Sequence, residues 1–162
     1  NAMPAEALTR VVKGTKALVS LARELNFPTL LTEQNPRGLG STVTDLGEVL
    51  ADIQPIEKMA FSCWGEPAFK KALLATGARD ILLCGMETHV CVFQTALDLL
   101  SAGRRVFLAA DALCSRSSEN HSLALELMRQ AGGIIGCSEM FIFQMLREAG
   151  SERFKRLSRL VR

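Results

Sequence analysis

The stretch that most constrains this chain is Asp80–Asp98, DILLCGMETHVCVFQTALD. Ile81, Leu82, Leu83 and Cys84 form a short apolar run of the kind a buried strand needs. Gly85 predicts a tight turn, and a helix is expected from about His89, with Val92, Phe93, Ala96, Leu97, Leu99 and Leu100 as its packed positions. Cys91 then falls in the first helical turn. Unpaired N–H groups and the positive end of the helix dipole lie there. Both favour the thiolate, the nucleophilic form of cysteine. A reactive atom at the carboxyl end of a strand sits where open α/β sheets hold their ligands. The plainer alternative is a cysteine acting as a small buried hydrophobe. Of the other cysteines, Cys84 is expected in the core, Cys114 and Cys137 as loop or strand filler, and Cys63 just past an apolar strand.

Strands and helices alternate along the rest of the chain. Leu8, Val11, Val12, Thr15, Leu18, Val19, Ala22 and Leu25 predict an amphipathic helix from Pro4 to about Asn26. Strands are expected at Thr29–Thr32, Pro55–Ser62, Arg105–Ala112 and Gly133–Cys137, besides the one before Gly85. Helices are expected at Thr44–Ala51, Phe69–Thr76, His121–Gln130, near Glu139–Ala149 and near Glu152–Val161, with Ser117 or Ser118 as an N-cap. EQNPRGLG, residues 33–40, reads as a polar loop. This alternation means βαβ units and a parallel sheet covered on both faces. The chain opens on a helix, whereas the first strand of a doubly wound sheet is usually central. An unpaired hole is therefore expected beside the strand that leads to Cys91.

At 162 residues the chain is expected to be a single domain, residues 1–162. Asn1-Ala2 ahead of Met3 resembles an expression scar. A net charge of +2 gives no argument for nucleic acid or a membrane surface, and no apolar run is long enough to span a bilayer. Five cysteines, an odd number without a CxxC pair, point to a reducing compartment, so a cytoplasmic location is expected.

GMETHVCVFQTALDLL, RVFLAADALCSRSSEN and GCSEMFIFQML resemble the isochorismatase-like cysteine hydrolase superfamily. TEQNPRGLGSTVTDL and FKRLSRLV are similar to its isochorismatase-domain-containing branch. The resemblance implies a three-layer α/β/α sandwich with a mostly parallel, doubly wound sheet. It implies a catalytic Asp, Lys and Cys acting on a carbonyl or imine carbon, with Asp carrying the thiol proton and Lys holding the anionic forms. Cys91 matches the nucleophile and Lys58, in PIEKMAFS, the lysine. The family often has a cis peptide before the cysteine, mapping to Met86–Glu87, and an oxyanion hole mapping to the amides of Glu87 and Cys91. A lysine near Cys91 would lower the thiol pKa by charge attraction. The alternative for Lys58 is a surface lysine snorkelling from an edge strand.

The chain departs from the family pattern at three places. The Asp-bearing first strand has no counterpart in these residues, which fits either a truncated start or an incomplete triad, and Glu33 is the only nearby acidic candidate for a substitute base. Where nicotinamidase-type relatives carry an Asp/His metal cluster, this chain reads TEQNPRG, so no metal and no cofactor is expected. Val90 stands where nicotinamidases usually place histidine. Phe61 and Trp64, with Glu33 and Gln34, are candidates for a substrate pocket, though strand-end aromatics are also ordinary core. His89 reads as a partly exposed cap, and Asp111 with Arg116 as a structural loop pair. Two functions fit: a Cys91 hydrolase of a small amide or related C–N substrate, or a non-catalytic scaffold that keeps the fold without its base. No nucleic-acid or membrane partner is expected, and homo-oligomers are.

Overall fold

The computed structural model describes residues 3–160. Asn1 and Ala2, which resemble a scar, Val161, the expected end of the last helix, and Arg162 lie outside the described residues. The elements follow in the order α1 (Ala5–Glu24), β1 (Thr32–Gln34), α2 (Pro36–Leu39), a 3-10 turn running into α3 (Gly47–Leu50), β2 (Ile56–Lys58), α4 (Pro67–Ala75), β3 (Asp80–Met86), a π turn (Thr88–Val92), α5 (Phe93–Ser101), β4 (Arg105–Cys114), α6 (Ser118–Gln130), β5 (Ile134–Gly136), α7 (Ser138–Leu146) and α8 (Glu152–Leu157).

The strands are parallel. β1 and β2 pair in one sheet, with Gln34 opposite Lys58. β3, β4 and β5 form a second sheet in that order. Among the described residues the two sheets are not hydrogen-bonded to each other, and β3 has one strand neighbour. Leu82 and Met86 of β3 are accordingly 37% and 40% exposed.

The layers are those of an α/β/α sandwich. On one face, Ile81, Val106, Leu108 and Leu113 meet Phe69 and Leu73 of α4, Ala96 and Leu99 of α5, and Ala124 and Met128 of α6. On the other, Ala109 and Ala112 of β4 meet Leu18 of α1 and Phe141 of α7. Ala17 and Leu21 continue that layer against Ile142 and Leu157. Burial of this kind contributes about 25 cal/mol per Å² of apolar surface. It holds β3 and α5 rigidly on either side of the turn that carries Cys91.

Several local expectations are corrected. Gly85 does not end the strand. It lies inside β3 with φ +116°, at a register shift between Leu83 and Gly85, a conformation open to glycine and costly to most residues. Cys84 is not plain core: the residue is exposed along the unpaired edge. Its thiol is nonetheless pushed up by burial, and the Thr15 side chain of α1 opposes that rise. The first strand starts later than expected, at Thr32, and takes in Glu33 and Gln34 rather than leaving them to the polar loop. β2 ends at Lys58 rather than Ser62, because Lys58 turns its ammonium onto the carbonyls that follow.

Candidate active site

Cys91 does not sit in a regular first turn. It belongs to the π turn that links β3 to α5, whose N-cap is Glu87. The amides of Val90 and Val92 both donate to the Glu87 carbonyl. Wide π turns of this kind are often found at functional sites. The Met86–Glu87 peptide is cis.

The turn is held by residues of the loop after β4 and by α6. Thr88, fully buried, is hydrogen-bonded through its hydroxyl to His121 Nδ1 at 2.9 Å. His89 is half-buried: its Nδ1 lies 2.9 Å from the Ser115 hydroxyl, and that hydroxyl also accepts the His89 amide. Glu87 accepts the Arg116 amide at 3.0 Å and lies 3.5 Å from the Arg116 guanidinium. Asp111 and Arg116 therefore do not pair with each other. Asp111 instead caps α7 by accepting from the amide and hydroxyl of Ser138.

Lys58 is 4% exposed, so the surface-lysine alternative is excluded. Its Nζ donates to Gln34 Oε1 at 2.5 Å, Ala60 O at 3.0 Å and Phe61 O at 2.8 Å. An ammonium has three donors, and all of them end on uncharged oxygens. Gln34 Oε1 also receives a weak 3.9 Å contact from the Cys91 thiol. The carboxamide faces this way because its Nε2 donates to Met59 O at 2.9 Å. Gln34, Lys58 and Cys91 are thus one connected group.

Glu33 takes no part in it. Side chains alternate along a strand, and the Glu33 carboxylate is held by the amide and hydroxyl of Thr42, both at 2.7 Å. Among the described residues no carboxylate hydrogen-bonds to Lys58 or Cys91. Trp64 packs against the main core, with the Lys70 ammonium 4.7 Å from its ring, while Phe61 is 54% exposed and is not core.

The electrostatic balance at Cys91 differs from expectation. Burial is the largest influence and pushes the thiol up from its ordinary value. The charge and hydrogen-bonding of Lys58 pull it down, and Cys63 and Glu87 push it up. Desolvation disfavours the charged form, and here it outweighs the lysine. Cys63, which its place just past an apolar strand left open as a residue near a site, lies close enough to act on Cys91. Its amide donates to Thr95 Oγ1 of α5 at 2.9 Å, and its sulfur lies 3.5 Å from Thr32 Oγ1. Sequence reading did not join Gln34 to Lys58, although both close short parallel strands and that position in each strand was the available signal. Among the described residues no group of three His, Cys, Asp or Glu side chains is arranged to hold a metal ion.

The comparisons with known proteins agree on one family. The isochorismatase domain matches residues 2–140. Isochorismatase domain-containing protein 2 of Bos taurus is 42% identical over 154 residues, covering 94% of this chain and 74% of that protein. The structure of a MAR1 ribonuclease from Caenorhabditis elegans superposes with a TM-score of 0.85 at 37% identity, covering 94% of this chain and 79% of that one. The Escherichia coli YcaC gene product, described as an octameric hydrolase of unknown specificity, superposes with a TM-score of 0.80 at 28% identity, covering 90% and 71%. With its parallel strands, its α/β/α layers and a domain match across most of its length, the chain belongs to the isochorismatase domain family.

Proposed function

We propose that this chain is a cysteine hydrolase acting on a small amide or a related C–N substrate. The observation that carries the reading is the grouping of Cys91 with buried Lys58 through one carboxamide oxygen. A buried lysine without a carboxylate is costly for a fold to keep. A site that develops negative charge on sulfur or on a substrate oxygen gives that cost a use.

In this reading the Cys91 sulfur attacks the carbonyl carbon, and the backbone amides of Glu87 and Cys91 receive the oxyanion. The C–N bond breaks, the nitrogen leaves with the thiol proton, and an acyl thioester remains on Cys91. Water then cleaves the thioester, releasing the acid and restoring the thiol. Lys58 stabilises the sulfur and oxygen anions. No metal or cofactor enters any step. Phe61 and Gln34 border the substrate. We also propose a reducing, cytoplasmic setting, from five free thiols, and self-assembly, from the octamer described for the YcaC protein. No helix among the described residues is long and apolar enough to cross a membrane.

A second reading is a non-catalytic scaffold. It is favoured by one observation: no described carboxylate touches Lys58 or Cys91 to take the thiol proton. The test is single-turnover mass spectrometry with a panel of small amides and activated acyl compounds, with RNA as a competing substrate. A mass shift confined to Cys91, absent in Cys91→Ala and followed by release of the acid, is the expected result. Turnover that persists in Cys91→Ala, or no adduct from any compound, overturns the hydrolase reading.

A further inference from the structure

Cys91 shares its surroundings with a second thiol. Cys63, in the 3-10 turn Cys63–Gly65 between β2 and α4, is fixed at two points. Its amide donates to Thr95 Oγ1 at 2.9 Å, one helical turn beyond Cys91. Its sulfur lies 3.5 Å from Thr32 Oγ1 of β1. The Cys91 sulfur lies 3.9 Å from Gln34 Oε1, two residues further along that strand. Residues i and i+2 of a strand share a face, and Glu33 between them turns away to Thr42. The two sulfurs therefore lie between one face of β1 and the turn that leads into α5. Both residues are half-buried rather than sealed in the core. Among the described residues Cys63 is the one other thiol that acts on the charge of Cys91.

The hydrolase reading gives the Cys63 sulfur no task. Its contact with Thr32 is weak, because a thiol is a poor donor and a poor acceptor. A rotation about the Cys63 χ1 angle therefore frees the sulfur at small cost. A second thiol beside a nucleophilic one is the arrangement of a redox pair, in which one sulfur is oxidised and its neighbour resolves it.

We propose that Cys63 and Cys91 form a reversible disulfide when the protein meets a peroxide, and that this bond closes the site and protects its nucleophile. The effect on activity rests on the reading of Cys91 as the nucleophile, whereas the disulfide itself rests on the two thiols. In the first step the Cys91 sulfur attacks one peroxide oxygen. The O–O bond breaks, water leaves, and Cys91 carries a sulfenic acid. The Cys63 sulfur then attacks the Cys91 sulfur. The S–S bond forms, and the displaced hydroxide leaves as water with the Cys63 proton. The peroxide gains the two electrons that the two thiols lose. Burial raises the Cys91 thiol pKa, Lys58 lowers it, and Cys63 and Glu87 are the other groups that raise it. The first step is therefore slow at neutral pH and speeds up as pH rises. A dithiol returns both cysteines to thiols by exchange. Transient disulfides of this kind suit a reducing compartment.

The test treats the full chain with hydrogen peroxide over a range of pH, caps the remaining thiols with iodoacetamide and maps all five cysteines by peptide mass spectrometry. The wild type is expected to give a Cys63–Cys91 cross-linked peptide, lighter by two hydrogens and lost on treatment with dithiothreitol. Its rate of formation should rise about tenfold per pH unit below the Cys91 midpoint. In Cys63→Ser, Cys91 goes on to sulfinic acid, which a dithiol does not reverse. After dithiothreitol, alkylation of Cys91 should then recover in the wild type and be about tenfold lower in Cys63→Ser. Cys84→Ser, Cys114→Ser and Cys137→Ser should leave the cross-link unchanged. A wild-type map without the Cys63–Cys91 cross-link at any pH, whatever else forms on Cys91, overturns the inference, and so does full recovery in Cys63→Ser. The wild-type map carries the test alone if Cys63→Ser does not fold. A cross-link without any acyl adduct from the amide panel would remove the hydrolase reading and leave the disulfide standing. An acyl adduct without the cross-link would do the reverse.

Discussion

The Cys63 amide donates to Thr95 Oγ1 at 2.9 Å, one helical turn beyond Cys91. One residue earlier, the buried Ser62 hydroxyl donates to Asp98 Oδ2 at 2.6 Å. The chain that leaves Lys58 is thereby fastened to the helix that follows Cys91. These bonds fix the distance between two strands' contributions to the site that belong to different sheets.

Thr95→Val tests this fastening. It keeps the shape of a buried side chain and removes the acceptor. A donor left without its partner costs about 1–3 kcal/mol. Urea unfolding should show a loss in that range, and an unchanged midpoint would mean that water replaces the bond.

Lys58→Met tests the charge at the site. Lys58 lowers the Cys91 thiol pKa from the burial-raised value, so its removal raises that pKa further. Less thiolate is then present at any pH below the midpoint. Alkylation of Cys91 at pH 7 should slow about tenfold if the midpoint rises by one unit. Equal rates at all pH values would show that Lys58 does not act on the sulfur.

His121 gives a pH dependence of stability. Burial lowers its pKa, and the positive charge of Arg10 adds to that. The folded state therefore binds its proton less readily than the unfolded state. The stabilisation is present in full above the unfolded histidine value of about 6.5 and is lost as pH falls through the lowered folded value. The thermal midpoint should fall between pH 7 and pH 5 in the wild type and fall less in His121→Gln. Parallel curves for the two proteins would exclude His121 as the source.

Gly14 tests the packing of α1 on β4. Alanine is the better helix former by about 1 kcal/mol. A Cβ at Gly14, however, would lie 2.9 Å from Ala112 Cβ and 3.2 Å from Ala112 Cα, the second a backbone atom that cannot turn aside. Overpacking of this kind costs about 1–3 kcal/mol. Gly14→Ala should lower the thermal midpoint, and a rise would mean that α1 can shift away from the sheet freely.

The layered α/β architecture, the order of its main elements and the placing of Cys91 between β3 and α5 are legible in the sequence. The reason is that apolar periodicity and turn chemistry are local, and each of β3, α5 and β4 is long enough to write its period plainly. What only the tertiary structure decided is which groups meet. Lys58 could be read as exposed or buried until the register of β1 on β2 set Gln34 beside it. Glu33 and Gln34 are adjacent in the chain, yet strand alternation sends one to Thr42 and the other to Lys58. The sign of the Cys91 shift followed from burial, which is a sum over neighbours from several elements. Desolvation and charge act through distances in space, and those distances are set when separate strands and helices close on one core.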